Sequence, residues 1–298
     1  MNFPNSVRLI EVGLRDGFQF ESKVAPTELK LEIISELVQA GLKQIQVISF
    51  VNSKRVPQMA DAEELIRRLP KQDGVIYSGL VLNTKGLERA CRVGLEAVEI
   101  SISASDTHSR KNTGMSLNEA ILQGKEMIQR AKECNMHITA GVQCAFGCVY
   151  EGGIAEDRVL GIVSEFMSIG IDRISIADTT GMAHPLSIKS LIQKLMPELG
   201  GLPIALHLHD TRGLGLVNVM AAMECGIREF DCSLAGMGGC PFVAGAAGNI
   251  ATEDTAYLMK TLNIDTGIDI QKIRQCSMKV ETFFEKRFPG KVCHLNIS

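Results

Sequence analysis

Eight short apolar runs, each followed by a longer amphipathic stretch, constrain this chain more than any other feature. The runs are Val7–Val12, Gln44–Phe50, Val75–Leu82, Ala97–Ser103, His137–Gln143, Arg173–Ala177, Ile204–His209 and Glu229–Leu234. They have the length and apolar content of buried strands. Between them helical patterns recur, at Thr27–Ala40, Asp61–Arg68, Lys85–Val93, Ser116–Cys134, Asp157–Ile169, Pro185–Met196, Val217–Cys225 and Thr252–Thr261. Ile33, Ile34, Leu37 and Val38 form one stripe ended by Gly41, and Ser116 with Glu119 has the spacing of a capping box. Strict β/α alternation implies a parallel sheet with helices outside. Eight units in roughly 260 residues fit a closed (β/α)8 TIM barrel better than an open doubly wound sheet. The first strand is not followed by the Gly-x-Gly-x-x-Gly turn that dinucleotide binding needs. The 298 residues are therefore expected to form a single catalytic domain. Its barrel spans about 7–262 and a C-terminal helical appendage about 263–298, with a helix at Ile270–Phe284.

Composition removes several function classes. A net charge of −3, with no Lys/Arg-rich run, gives no footprint for nucleic acid. No apolar stretch approaches the ~18 residues of a membrane span, and the start shows no secretory signal pattern. The expected location is the cytoplasm. The nine cysteines are scattered and read as reduced thiols, not a disulfide framework. Cys144 and Cys148 lack a second pair, so a zinc ribbon is not expected.

In a (β/α)8 barrel, catalytic groups sit at the carboxyl ends of strands. His207-Leu208-His209-Asp210 closes the seventh run, and residues two apart on a strand point to one side, so the two imidazoles converge. Asp16 follows the first run and Asn249 lies in the loop after the eighth, its neighbour in a closed barrel. Together, Asp16, His207, His209 and the Asn249 amide oxygen make a mixed O/N set. It suits Mg²⁺ or Mn²⁺ and also accepts Zn²⁺ or Co²⁺. The bland alternative is two hydrogen-bonded histidines at a barrel rim. Arg15 is either an exposed ion pair with Asp16 or a guanidinium over the barrel mouth that holds a developing oxyanion. Asp178 is either an acid or base behind the metal or a helix N-cap with Thr179. Cys240, among glycines and before Pro241, is either a proton-donating thiol on a flexible loop or an inert small hydrophobe.

The combination Glu-Val-Gly-x-Arg-Asp-Gly-x-Gln at 11–19, Ser49-Phe50-Val51, Val56-Pro57-Gln58-Met59, His-x-His-Asp at 207–210, and Gly-Gly-Cys-Pro-Phe at 238–242 with Gly248-Asn249 resembles the hydroxymethylglutaryl-CoA lyases. These are metal-dependent TIM barrels related to the Claisen-condensing synthases, and the likeness runs from about Val7 to Thr266. The Gly-Gly-Cys-Pro loop favours the lyase branch. The resemblance implies retro-Claisen cleavage of a 3-hydroxy-3-methylglutaryl-CoA-like acyl-CoA, releasing acetyl-CoA. It also implies a divalent cation on Asp16, His207, His209 and Asn249, and an acyl-CoA bound at Arg15 and Gln19. Arg15 would hold the enolate and Cys240 would protonate it, Asp178 matches a family acid near the metal, and a homodimer is expected. Two positions depart from the pattern. The family's second strand carries Ile-Glu where this chain has Ile45-Gln46, and Thr139-Ala140-Gly141 stands near the family's Arg-Gly-Tyr. Gln46 would face Arg15 without a negative charge and offer an N–H to substrate, and Gly141 would leave empty room. Another 3-hydroxy acyl-CoA, a condensing reaction or a non-catalytic relative are the alternatives.

Overall fold

The computed structural model describes residues 3–239 and 247–295. Each apolar run forms a strand: β1 (Arg8–Glu11), β2 (Gln44–Ser49), β3 (Ile76–Val81), β4 (Ala97–Ser103), β5 (His137–Gln143), β6 (Arg173–Ala177), β7 (Ile204–His207) and β8 (Glu229–Cys232). They pair in sequence order, all parallel, and β8 closes on β1 with Ile10 opposite Asp231, which makes the TIM barrel expected from the alternation. The helices are α1 (Thr27–Gln39), α2 (Ala62–Arg68), α3 (Thr84–Arg92), α4 (Asp106–Thr113), α5 (Leu117–Glu133), α6 (Glu156–Met167), α7 (Pro185–Glu198), α8 (Gly215–Glu224), α9 (Thr252–Thr261) and α10 (Ile270–Phe284). Helix α1 buries the stripe of Ile33, Ile34, Leu37 and Val38. The capping box of α5 is formed, Ser116 N donating to Glu119 Oε2 at 2.8 Å.

The main apolar layer lies between strands and helices. On β4 it takes Val98, Ile100 and Ile102, so alternation sends Glu99, Ser101 and Ser103 into the barrel. Among the described residues, a small buried apolar cluster of Ile10, Val12 and Ala205 is separate from that layer. Much of the remaining interior is polar. Near the amino ends of the strands, Glu229 pairs with Arg8 at 2.7 Å and lies 2.9 Å from Arg173 Nε. The barrel thus carries charge along its axis, and the polar groups toward the carboxyl ends face an open mouth.

After α9 the chain extends as expected. Helix α10 packs beside α1, where Lys279 Nζ reaches Glu32 at 2.6 Å. The segment that follows straps back over the β8 end, Gly290 N donating to Ala235 O at 2.7 Å and Val292 N to Asp254 Oδ1 at 2.6 Å.

Three expectations change. Helix α4 is an extra element without an apolar stripe, which is why periodicity misses it. Ser105 caps its start, accepting from His108 N at 3.1 Å, and Gly114 ends it at φ 82°. Strand β7 stops at His207, and His209 pairs instead in an isolated antiparallel bridge with Asn249. Cys91 and Cys134 are joined as a disulfide, with Cα atoms 6.0 Å apart. The reading of all cysteines as reduced thiols fails there, because α3 and α5 lie side by side and bring together residues 43 apart in sequence.

Phe166 on α6 is fully buried against Gly124 of α5, where an added Cβ would come within 3.0 Å of its ring. Phe166→Ala should cost ~3–5 kcal/mol in urea unfolding, the scale for losing a buried aromatic. A loss under ~1 kcal/mol would contradict the close packing described.

Candidate active site

The site forms where β1, β7 and β8 end. After β1 the chain makes a single π-turn, Gly13–Gly17, that carries Arg15 and Asp16. Such turns often mark functional sites. Glu11 pins this one. Its Oε1 accepts from Gly13 N at 2.8 Å and Leu234 N at 3.0 Å, and Oε2 accepts from Thr252 Oγ1 at 2.6 Å. One buried carboxyl therefore ties the β1 turn to the segment after β8. Burial pushes that carboxyl up to about 7, against the pull of the Thr252, Leu234 and Gly13 bonds.

Asp16 is the centre of the cluster. Oδ1 accepts from Arg15 Nη1 and from Gln19 Nε2 at 3.0 Å. Oδ2 accepts from Asn249 Nδ2 at 2.8 Å and lies 3.7 Å from His207 Nε2 and 3.9 Å from His209 Nε2. Burial alone would raise this carboxyl, but Arg15, the two histidines and Asn249 outweigh it and hold it at about 2. It stays an anion. Arg15 is 6% exposed, so its reading as an exposed ion pair falls, and its Nε donates to Gln46 Oε1.

Asp231 on β8 orients His207, Oδ2 standing 3.1 Å from Nδ1. With its proton on that side, His207 turns the Nε2 lone pair toward Asp16. Burial works against a charge on His207, but the Asp231 bond and the Asp16 charge raise its pKa. Burial, reinforced by His207, lowers His209 to about 3. The two Nε2 atoms are only 3.1 Å apart, a contact two lone pairs cannot share without a cation or proton near them. Asn249 Oδ1 is buried with no partner among the described residues. Gly238, at φ +124°, keeps the Asn249 amide in place, since a Cβ there would lie 2.5 Å from Nδ2.

Asp16, His207 and His209 offer ligand atoms within 4.8 Å of one another. Asn249 meets Asp16 through Nδ2 and leaves its Oδ1 unpartnered among the described residues, so a further oxygen donor is available to a group whose chemistry fits a divalent cation. Gln19 reaches the cluster through Asp16. Asp178 does not cap a helix, because His184 caps α7. Instead Asp178 Oδ1 accepts from Met182 N at 2.8 Å and Ala183 N at 3.0 Å and so folds the loop after β6. Its backbone N donates to His207 O at 2.8 Å, and its Oδ2 is buried without a hydrogen-bond partner among the described residues. Burial pushes this carboxyl up to about 6. Cys240 lies outside the described residues.

A cavity of about 390 Å³ opens beside the cluster, lined by Arg15, Gln19, His207 and His209 on one side and by Glu99, Ser101 and Gly141 on another. Gln46 does face Arg15, and one of its two N–H donors is taken, since Nε2 donates to Glu99 Oε2 at 2.7 Å. The space at Gly141 is not empty, since a Cβ there would lie 2.5 Å from Ser101 Oγ and 2.8 Å from Glu99 Oε1. Sequence reasoning missed Glu99, Asp231 and Glu11. The signal for the first two was a charge inside a strand at an inward position, in Ala97–Ser103 and Glu229–Cys232. Glu11 left no such mark. If Asp231 sets the His207 tautomer, Asp231→Ala should weaken Mn²⁺ binding 10–100-fold by calorimetry, about the loss seen when such partners are removed. Unchanged affinity would remove Asp231 from the site.

Known proteins are similar to this chain in sequence and fold. A family model described as HMGL-like matches residues 6–280. The cytoplasmic 3-hydroxy-3-methylglutaryl-CoA lyase of Rattus norvegicus is 38% identical over 272 residues, 91% of this chain and 79% of that protein. The HMG-CoA lyase of Bacillus subtilis superposes with a TM-score of 0.94 at 35% identity, over 98% of each chain. An HMG-CoA lyase from Acinetobacter baumannii in complex with coenzyme A and 3-methylmalate superposes equally well, TM-score 0.94, at 34% identity over 100% of this chain and 99% of that one. The barrel, the site at its mouth and these relatives agree: the chain belongs to the HMGL-like family and is a carbon–carbon lyase.

Proposed function

We propose that the protein cleaves a 3-hydroxyacyl-CoA of the 3-hydroxy-3-methylglutaryl-CoA type by a divalent-cation-dependent retro-Claisen reaction. The observation that carries this reading is the convergence of Asp16 Oδ2 on both histidine Nε2 atoms, with Arg15 hydrogen-bonded to the same carboxylate at the cavity edge. The Acinetobacter relative held coenzyme A and a hydroxy-dicarboxylate together. A CoA moiety and a hydroxylated acid with a free carboxylate are also the chemical features of the proposed substrate.

Asp16, His207, His209 and Asn249 Oδ1 would hold the cation. When bound, it supplies Lewis acidity that lowers the pKa of the substrate's 3-hydroxyl. The rest belongs to the chain. The 3-hydroxyl loses its proton and its oxygen becomes the carbonyl of the departing oxo acid. The C2–C3 pair moves to C2, leaving the enolate of acetyl-CoA. Arg15, fixed by Gln46 and Asp16, faces that charge, and a preorganised guanidinium there stabilises the transition state more than the ground state. Asp178, whose Oδ2 has no hydrogen-bond partner among the described residues and whose backbone N donates to His207 O, is our candidate for the group that receives the hydroxyl proton. Following the family resemblance, we assign protonation of C2 to the Cys240 thiol. Gln19 holds Asp16 and borders the cavity, where we place the acyl group.

The purified protein should release acetyl-CoA in a coupled assay. Exhaustive chelation should abolish release, and Mg²⁺ or Mn²⁺ should restore it. Full activity without metal would sink the cation's role. Arg15→Gln should lower kcat at least ~100-fold, the scale for one lost oxyanion donor. A near-normal kcat would reduce Arg15 to a structural partner of Asp16. Cys240→Ala should retain Mn²⁺ affinity while turnover falls, and turnover at the wild-type rate would remove the thiol from the reaction.

A further inference from the structure

The wall of the cavity formed by β4 and β5 lies across the barrel from the Asp16 cluster of β1, β7 and β8, and β6 links it to β7. Register puts Ser101 beside Gly141 and Gly141 beside Ser175, a row of small residues on neighbouring strands. Glu99 sits one inward position below Ser101 and reaches the cavity. Its Oε2 is taken by Gln46 Nε2 at 2.7 Å, whereas Oε1 has no hydrogen-bond partner among the described residues. Gly141 is needed for this placement, because a side chain there would collide with both Oε1 and Ser101 Oγ. Three positions on three strands thus agree. Gln46 supplies a donor that grips one oxygen, Gly141 leaves space for the other, and Ser101 adds a hydroxyl beside it.

We propose that Glu99 is a specificity-determining residue that selects an acyl group bearing a hydrogen-bond donor, such as a hydroxyl, on the C3 substituent where hydroxymethylglutaryl-CoA carries a bare methyl. The inference rests on the lyase reading above. The substrate's hydroxyl and carboxylate belong to the cluster side and its thioester to Arg15, so the remaining C3 group is the one left to meet the opposite wall. A methyl group there would strip water from Glu99 Oε1 and Ser101 Oγ and return nothing. A hydroxyl would satisfy the carboxylate oxygen, and pockets with buried polar groups discriminate against analogues that leave those groups unpaired. Burial raises the Glu99 carboxyl, with Asp231 adding to the effect, while Arg15, the bond from Gln46 and His207 pull it down. A donor on the substrate adds to that offset.

The test compares three thioesters that share the hydroxymethylglutaryl-CoA skeleton and carry methyl, methoxymethyl or hydroxymethyl at C3, by kcat/KM for acetyl-CoA release. The wild type should prefer hydroxymethyl over the other two by at least ~10-fold, the scale of one hydrogen bond to a charged group. In Glu99→Val that preference should vanish or invert toward methyl. In Glu99→Gln, which keeps the shape and the bond from Gln46, it should be partly retained. This second variant and the wild-type ratio keep the proposal testable should the valine variant fold poorly. Equal ratios in wild type and Glu99→Val, or a wild type that prefers methyl or treats methoxymethyl and hydroxymethyl alike, would overturn the assignment to Glu99 while leaving the lyase intact. Absence of acetyl-CoA from all three, with metal present, would overturn both.

Discussion

The carboxylate of Asp16 is the constraint on which the rest of the site depends. One oxygen collects Arg15 and Gln19, and the other collects Asn249 and faces two histidine nitrogens. These groups arrive from the β1 turn, from β7 and from the segment after β8. A closed barrel makes its first and last strands neighbours, so residues 233 apart in sequence meet at 2.8 Å. Glu11 reinforces the same junction from below by bonding both the turn and Leu234. Desolvation would neutralise an isolated carboxyl in this place. Asp16 stays ionised because its neighbours are cationic, donor-bearing or ready to take a cation.

Opposite this anion-centred cluster, the barrel wall is polar for a different reason. Arg15 touches Gln46 and Gln46 touches Glu99, so the Glu99 carboxyl stands one side chain away from Arg15. The amide is a relay, accepting from the guanidinium and donating to the carboxylate. That arrangement keeps Arg15 oriented without a direct carboxylate partner on that side. It also leaves Glu99 with an oxygen toward the cavity. Charge at the mouth is thus redistributed, with consequences for which acyl group fits.

Much of this was legible in the sequence. Strand and helix types follow from hydrophobic period, and β4, β5, β6, α9 and α10 coincide with their expected bounds. The grouping of Asp16 with His207 and His209, and the pairing of Arg15 with Gln46, were legible because these residues sit at strand ends or interrupt apolar runs. The rest was not, for stated reasons. Helix α4 buries no apolar stripe, so periodicity cannot see it. His209 leaves the strand and is held by its bridge to Asn249, a pairing only the closed barrel supplies. The space at Gly141 and the Gln46 amide were read without their neighbour because Glu99, which takes one amide donor and the space, is on a strand next to one and two strands away from the other. Single-position inference misses such compensation, since the partner lies in the register and not in the local pattern. The Cys91–Cys134 pair was hidden for the same reason.

The central claim is that Asp16, His207, His209 and Asn249 hold a divalent cation at the barrel mouth. Anomalous scattering from crystals soaked in Mn²⁺ tests it most directly, because it locates the metal without reference to turnover. The account predicts one strong peak bonded to Asp16 Oδ2, both histidine Nε2 atoms and Asn249 Oδ1. A peak only at the other ligand-bearing group among the described residues, Glu281 with Cys293 and His294, or no ordered peak at all, would contradict it.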